Sequence, residues 1–289
     1  MKKKYTLGSF YILFAFVALI FSACSENSPE IACLSCDTNN SEPIEADERR
    51  ILVEEFTGVR CSNCPKATAT LKDQVDRHGK DRIILVAIHT GFFARPLTES
   101  RYDFNVEEAD ALRAFLGNPS AYPSATFNRS LFDDYNSVQV DAPDEWPGLI
   151  GQELGKKTII NLSLTNTYDP STKQLKAKVR LTPLQDINDV LSISIMVTES
   201  NIVDVQKFPP PIEKQDDYVH NHVLRDMMTP PTGSVITEPL KREQTIELEF
   251  TQVVKDEWNV GELDVVAVVH YNQPDNQSVV QAVDATVAQ

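Results

Sequence analysis

The chain lacks basic runs beyond its N-terminus. It has 289 residues, of which 42 are acidic and 27 are basic, and its formal net charge is −15. This acidity argues against nucleic acids and anionic lipid surfaces as partners. The hydrophobic content of 42% and charged content of 24% are ordinary for globular proteins, which argues against wholesale disorder. The length is sufficient for two domains with cores of their own.

The chain also lacks internal repeats, low-complexity tracts and a second apolar run near membrane-spanning length. Its one long apolar run, Leu7–Ile20, follows Lys2-Lys3-Lys4 and is too short for a comfortable span. The next residues, Phe21-Ser22-Ala23-Cys24, resemble a bacterial lipobox, although leucine is usual in the place of Phe21. We therefore predict a lipoprotein signal peptide over residues 1–23 and a palmitate-bearing lipid anchor on Cys24. The alternatives are a plain secretory signal or an uncleaved anchor, with an incidental Cys24.

Cysteine is scarce, with five in the chain. Apart from Cys24, they form two Cys-x-x-Cys pairs, Cys33/Cys36 and Cys61/Cys64, and an even set in an exported chain suits an oxidising compartment. Residues 24–47 are rich in Ser, Asn, Pro and acidic residues, which predicts a flexible tether. Three interpretations of the tether pair Cys33/Cys36 remain open. It forms a local disulfide, which we favour, or it is a redox partner of the second pair, or it is half of a zinc site with that pair.

The second pair lies where a predicted strand meets a predicted helix. The strand is Arg49–Phe56, and apolar residues at helical spacing predict a helix over Ser62–His78. The first turn of a helix has unpaired N–H groups and a positive dipole end, and both favour a thiolate. A thiolate is the nucleophile of thiol–disulfide exchange, and a second cysteine three residues on can resolve the mixed disulfide.

The elements that follow predict an α/β arrangement up to residue 157. Arg82–His89 is a near-continuous apolar run, typical of a parallel strand covered on both faces, and it predicts a right-handed β-α-β crossover. Thr98–Phe115 is predicted to be largely helical. A proline-punctuated turn, Asn118–Arg129, enters a short strand, and a further helix is predicted over Asp144–Leu154.

Residues 158–289 have a different pattern, in which apolar and polar residues alternate. This predicts an all-β antiparallel sandwich of the immunoglobulin-like type. The predicted strands are Thr158–Leu164, Gln174–Leu181, Val190–Thr198, Gln244–Phe250, Leu263–His270 and Ser278–Val287. The segment Ile202–Thr232 is predicted to be a long loop that is functional or packed against a neighbour.

Two histidines in this segment, His220 and His222, are predicted to share one face of a strand. Such a pair is a weak candidate for a metal site. No third ligand is evident nearby, so a packed or hydrogen-bonded pair is favoured. We interpret His89, at the end of a buried strand, as a satisfied core residue.

The order of elements in residues 48–157 resembles the thioredoxin-like family. The resemblance implies that Cys61 attacks a substrate and that Cys64 resolves the mixed disulfide. Pro123 matches the family's cis-proline, with Pro119 as its competitor. The residue before it, Tyr122, is then expected beside the cysteines, where its backbone pairs with a substrate chain.

The same resemblance implies a role for a carboxylate on the first strand. Glu55 falls where the family keeps a buried acid that accepts a proton from the resolving cysteine, and burial would raise its pKa. Neighbours on a strand point oppositely, so we predict that Glu54 faces solvent and Glu55 faces inward, with the reverse assignment as the alternative. Thr57 and Arg60 replace aromatic residues that often precede the pair, and Arg60 is a candidate to stabilise a Cys61 thiolate.

Over nearly all of its mature length the chain resembles a narrower family. The lipobox, Phe56–Pro65 (Phe-Thr-Gly-x-x-Cys-x-x-Cys-Pro) and Tyr218–Arg225 look like the twenty-eight-kilodalton outer-membrane protein family of Bacteroidetes lipoproteins. The resemblance implies a cell-envelope protein, lipid-anchored in the outer membrane and facing the periplasm or the surface.

Three functions from different classes remain open. The first is a thiol–disulfide oxidoreductase that acts on protein thiols and disulfides through Cys61, Cys64, Glu55 and Pro123, with no cofactor. The second is a surface binding protein or adhesin with structural cysteines, whose ligand is met at Ile202–Thr232. The third is a metal-binding lipoprotein that uses the histidine pair or the four cysteines.

Overall fold

Strands dominate residues 48–287, which the computed structural model describes. The predicted signal peptide, the tether and the cysteines Cys24, Cys33 and Cys36 lie outside this range. The described residues are mostly β-sheet with few helices, consistent with the all-β prediction for the second half. None of their helices is long and apolar enough to cross a membrane.

The elements are numbered in chain order. The strands are β1 Ile51–Thr57, β2 Ile83–His89, β3 Ser124–Phe127, β4 Ile160–Asp169, β5 Gln174–Pro183, β6 Leu191–Glu199, β7 Ile202–Lys207, β8 Lys214–His220, β9 Val223–Met227, β10 Ser234–Val235, β11 Ile246–Val253, β12 Leu263–Tyr271 and β13 Val279–Thr286. The α-helices are α1 Cys64–His78, α2 Gly91–Ala94, α3 Glu107–Phe115 and α4 Trp146–Glu153. Every strand predicted in residues 158–289 overlaps an observed one.

The principal sheet joins both halves of the chain. Its strand order is β13-β12-β6-β9-β2-β1-β3, and β10 pairs with β6. β1 is parallel to β2, as the predicted β-α-β unit requires, and antiparallel to β3. β9 comes from the second half and joins β2 where Val223 pairs with Ala87. The sheet is therefore continuous across residue 157, while the division into domains 48–157 and 158–289 stays a prediction.

A second sheet covers one face of the principal sheet. It has the order β11-β5-β4. Alternate residues of β5, such as Val179 and Leu181, are fully buried and share one apolar cluster with Ile195 of β6 and Val265 of β12. The two sheets thus bury a common core, because each presents every second side chain to the other.

β1 is buried on both of its faces. Ile51 and Val53 pack with α1 and α4, whereas Leu52 and Phe56 pack with α3 and the strands beyond it. Because side chains alternate along a strand, each face of β1 needs its own cover of apolar groups. The helices supply this cover, and β1 carries the chain directly to Cys61.

The prediction of a helix over Thr98–Phe115 is wrong for its first half. The structure has α3 only at Glu107–Phe115. The preceding stretch is held instead by Asp204 of β7, whose carboxylate accepts hydrogen bonds from the backbone N–H groups of Arg101 (3.0 Å) and Tyr102 (3.0 Å). These bonds come from a distant strand, so a local apolar pattern does not reveal them.

The prediction of a long loop over Ile202–Thr232 is also wrong. This segment contains β7, β8 and β9, and β7 and β8 form a hairpin with a sheet of its own. The first four residues of β8, Lys214–Asp217, are all exposed. A strand with polar groups on both faces lacks the alternation by which strands are recognised.

The prediction that Glu54 faces solvent is wrong as well. Glu54 is fully buried and pairs with the equally buried Arg129, whose Nη2 lies 2.7 Å from Oε1. The Thr126 hydroxyl donates a second bond to Oε2 over 2.7 Å. The error arises because a strand in the middle of a covered sheet has no solvent-facing side.

We expect Arg129→Met to lower the free energy of unfolding by about 3–5 kcal/mol, because it leaves the Glu54 carboxylate buried without its counter-charge. Glu54→Gln combined with Arg129→Met should recover part of this loss. Urea unfolding of the variants measures both effects. Lys72→Ala is the control, because it removes an exposed ion pair with Asp76 and should cost at most about 0.5 kcal/mol. An Arg129→Met cost no larger than the control would show that the buried pair is not a structural requirement.

Candidate functional site

Cys61 and Cys64 form a disulfide at the junction of β1 and α1, with their Cα atoms 5.4 Å apart. Cys64 is the first residue of α1, after the N-cap Asn63, and Pro65 occupies the first turn. This confirms that the pair lies at a helix start. Each cysteine is only 2% exposed, so the disulfide is covered by other parts of the chain.

The turn before the cysteines packs on the backbone of α2. A Cβ atom on Gly58 would lie 2.3 Å from the carbonyl group of Phe93, so only glycine permits this approach. The Arg60 N–H donates to the Phe93 carbonyl over 2.9 Å. The Cys61 N–H donates to the Gly58 carbonyl, also over 2.9 Å. These contacts fix the path of the chain from β1 into the disulfide.

The Arg60 side chain is engaged away from the disulfide. Its guanidinium donates to the carbonyl oxygens of Arg95 (2.7 Å) and Pro96 (2.5 Å). It therefore ties the turn to the segment after α2. This structural role was not part of the sequence interpretation, which considered only a charge beside a Cys61 thiolate.

Gln206 of β7 is a site residue that sequence reasoning missed. Its Nε2 donates to the carbonyls of Cys61 (3.0 Å) and Gly58 (3.4 Å), and its side chain is buried. The neighbouring Lys207 N–H donates to the Val59 carbonyl over 2.9 Å. The β7–β8 hairpin thus supports the turn directly. No local signal reveals this, since Gln206 follows Cys61 by 145 positions.

Glu55 faces α1 from β1 and is 4% exposed, as predicted for a buried acid. The Thr68 hydroxyl of α1 donates to its Oε1 over 2.8 Å and lies 3.1 Å from the Cys64 carbonyl oxygen. Burial raises the pKa of Glu55 to about 7, although the bond from Thr68 acts in the opposite direction. The expected raised pKa is confirmed, and the carboxyl changes its protonation state near neutrality.

A cavity of about 450 Å³ lies between α1 and the β7–β8 hairpin. Cys64 and Glu55 line it from one side, and Phe208, Tyr218 and His220 line it from the hairpin. The pKa of Tyr218 is raised, first by burial and then by the charge of Glu55. The cavity therefore brings together one cysteine, its neighbouring acid and a phenol.

The peptide bond between Tyr122 and Pro123 is cis, so Pro123 rather than Pro119 is the cis-proline of this segment. Pro123 directly precedes β3. The Tyr122 ring packs against Phe93, with ring centroids 5.1 Å apart. The Phe93 carbonyl also accepts the hydrogen bond from the Arg60 N–H. Phe93 therefore contacts both Tyr122 and the turn before the disulfide.

The predicted common strand face of His220 and His222 is wrong. His220 ends β8, whereas His222 lies in the following turn with a φ of 55°. His220 packs on Phe104 (4.9 Å between centroids) and His89 (5.6 Å), and burial lowers its pKa to about 4. Burial also lowers the pKa of His222. Among residues 48–287, no three His, Cys, Asp or Glu side chains form a group that could hold a metal ion.

His89 is buried at the end of β2, as predicted, but it is not a satisfied core residue. Its Nδ1 and the Nε2 of His220 are buried atoms without a hydrogen-bond partner in residues 48–287. Burial, His220 and Arg225 together hold the pKa of His89 well below its ordinary value. Both rings are therefore neutral at pH 7, and both line the cavity beside Cys64.

Comparison with known proteins identifies a family and similar structures. The family model described as outer membrane protein Omp28 matches residues 111–289. HBP35 of Porphyromonas gingivalis is similar, with 16% identity and a TM-score of 0.63 over 84% of this chain and 77% of that chain. A protein of Agrobacterium tumefaciens has 12% identity and a TM-score of 0.51 over 85% and 97%. At these identities the similarity concerns the fold alone. No curated protein matches the chain.

We expect Glu55→Gln to alter the pH dependence of stability. The folded-state pKa of about 7 exceeds the ordinary value of 4.5, so between these pH values the folded protein retains a proton that the unfolded chain has lost. Stability should therefore fall as pH rises through this window, by about 3 kcal/mol relative to Glu55→Gln. Urea unfolding of both proteins between pH 4.5 and 7.5 measures the difference. Parallel pH profiles would contradict the raised pKa.

Proposed function

Because the chain belongs to the outer membrane protein Omp28 family and is thus a cell-envelope protein, we propose that it is a thiol–disulfide oxidoreductase of that envelope. The observation that carries the proposal is the Cys61–Cys64 disulfide at the start of α1, beside a buried Glu55 carboxyl whose pKa is about 7. A structural disulfide needs no neighbouring group that exchanges protons near neutrality. An exchanging disulfide does, because its thiols must gain and lose protons.

The proposed fold of residues 48–157 is thioredoxin-like, and that of residues 158–289 is an immunoglobulin-like sandwich. Parallel β1 and β2 joined by α1, with antiparallel β3 entered through Pro123, support the first assignment. The packing of β4, β5 and β11 over β6 and β12 supports the second.

The proposed reaction begins with the reduced protein. The Cys61 thiolate, stabilised by the N-terminal end of α1, attacks a sulfur of a substrate disulfide. A mixed disulfide forms and one substrate thiolate leaves. Cys64 then transfers its proton to the Glu55 carboxylate and attacks the Cys61 sulfur. The mixed disulfide breaks, the second substrate thiolate leaves, and the Cys61–Cys64 disulfide is formed.

Protons balance through Glu55, which passes its proton on to the departing thiolate. Because its pKa lies at about 7, both protonation states of Glu55 are populated near neutral pH, which suits it to this transfer. The reverse sequence oxidises a substrate dithiol. In either direction the two electrons pass directly between the sulfur atoms of the protein and those of the substrate, so the reaction needs no cofactor.

The substrate chain is proposed to pass beside Tyr122 and Pro123. The Tyr122 ring packs on Phe93, and Phe93 in turn holds the turn before Cys61. This succession of contacts supports a position of the Tyr122 backbone next to the attacking sulfur. An extended substrate segment would pair with that backbone.

We expect the mature protein to have a reduction potential above about −230 mV, in the range of glutaredoxins and protein disulfide isomerase. Cys61 in the Cys64→Ser variant should react with an alkylating agent well below about pH 8. A redox titration and a pH series of alkylation rates measure the two quantities. The double variant Cys61→Ser/Cys64→Ser controls for background in a disulfide-reduction assay with insulin. A potential below about −300 mV, with cysteines inert until unfolding, would identify a structural bridge instead.

The N-terminus is proposed to be a lipid anchor in the outer membrane, with Cys24 acylated after removal of residues 1–23 and Cys33 bonded to Cys36. Cys24→Ala should abolish incorporation of labelled palmitate and release the protein from the outer-membrane fraction. Cys33→Ser is the matched control and should leave labelling unchanged. Undiminished labelling of Cys24→Ala would contradict the anchor.

A further inference from the structure

The β7–β8 hairpin has a free strand edge near the disulfide. Among residues 48–287, β8 pairs with β7 alone, and the two strands form a sheet separate from the others. A strand at the edge of a sheet presents unpaired N–H and C=O groups, which can pair with another extended chain. The hairpin is anchored to the rest of the protein through Asp204 and Gln206 of β7, and these two anchors do not use the backbone of β8.

The free edge of β8 borders the cavity beside Cys64. Four consecutive residues, Tyr218–Asn221, line this cavity. Three of them, Tyr218–His220, end β8, and Asn221 follows in the turn. Since successive side chains of a strand point to opposite faces, three strand residues in a row border one space along the strand's edge rather than across one face. The start of α1, Ser62–Lys66, forms the opposite wall. The volume of about 450 Å³ lies within the range of ligand sites, about 300–1,000 Å³.

The cavity presents both apolar surface and polar atoms, and this combination suits a polypeptide. Phe208 and Tyr218, whose ring centroids lie 5.8 Å apart, offer apolar surface. His89 Nδ1 and His220 Nε2 are buried polar atoms that have no hydrogen-bond partner within the described part of the chain. A buried polar group without a hydrogen bond is costly, so an occupant that supplies one is favoured. A peptide segment combines apolar side chains with backbone donors and acceptors at regular spacing.

We propose that the cavity between α1 and the free edge of β8 binds an extended polypeptide segment, which adds to the hairpin as a third strand. This rests on the proposed function and names its substrate class, which is unfolded or locally extended protein. Main-chain bonds to β8 supply affinity that is independent of sequence, and the aromatic pair accepts an apolar side chain. The segment then lies along the wall that contains Cys64, and the part of the same substrate chain that carries the reacting sulfur continues beyond the cavity to Cys61 and the Tyr122 backbone.

The test uses the full chain in detergent with its disulfide intact. The probe is a ten-residue peptide of alternating Val and Thr without cysteine, and the control is the same peptide N-methylated at four central residues. We expect the unmodified peptide to slow hydrogen exchange of the β8 amides (Lys214–His220) at least tenfold. Fluorescence anisotropy should show at least tenfold weaker binding of the methylated peptide, because N-methyl groups block the ladder bonds.

Two hairpin variants locate the site. Phe208→Ala removes an apolar side chain from the cavity and should weaken binding of the unmodified peptide at least tenfold. Val203→Ala is the matched control, because Val203 is exposed and is not among the residues that line the cavity, and the affinity of this variant for the peptide should be unchanged. Protection that appears at β3 and not at β8 would overturn the proposal, as would equal binding of the two peptides.

Failure of this proposal is distinguishable from failure of the proposed function. The peptide has no sulfur, so its binding is independent of thiol exchange. If the peptide binds but the reduction potential of the protein lies below about −300 mV, the proposed docking site is supported and the proposed enzymatic function is overturned. If the reduction potential lies above about −230 mV but the peptide does not slow hydrogen exchange of the β8 amides, the proposed enzymatic function is supported and the proposed docking site is overturned.

Discussion

β1 imposes the main constraint on this structure, because it is paired on both sides and covered on both faces. Any polar side chain it carries must therefore find its partner inside the protein. Glu54 does so through an ion pair with the buried guanidinium of Arg129. Glu55, on the opposite face, has only the Thr68 hydroxyl, so burial dominates and its pKa rises to about 7. The two adjacent glutamates thus have different partners, an arginine for Glu54 and a threonine hydroxyl for Glu55, because they lie on opposite faces of the strand.

The covered disulfide depends on the way the second half of the chain enters the principal sheet. β9 lies between β6 and β2, and the hairpin that precedes it is thereby brought over the carboxyl ends of β1 and β2. From there Gln206 reaches the Cys61 carbonyl, and His220 packs on His89. The site is therefore built from both predicted domains. Residues 48–157 alone would lack one wall of the cavity beside Cys64.

The errors of the sequence analysis have a common physical origin. Residues 98–106 were predicted as helix, yet Asp204 holds them in another conformation through bonds across more than one hundred positions. β8 was predicted as loop, because its exposed charged residues leave no periodicity to read. In both cases a partner distant in sequence decided the local structure. Short-range patterns contain no information about such partners.

The sequence by itself determined the features that depend on neighbours along the chain. Spacing alone placed Cys61 and Cys64 at the end of a strand and the start of a helix, and alternation identified the strands of the second half. Resemblance to a known family singled out Glu55 and Pro123. Only the tertiary structure decided the burial of Glu54 with Arg129, the support from Gln206 and the separation of His220 from His222. These features arise from long-range packing, which fixes burial, charge and hydrogen-bond partners after the chain has folded.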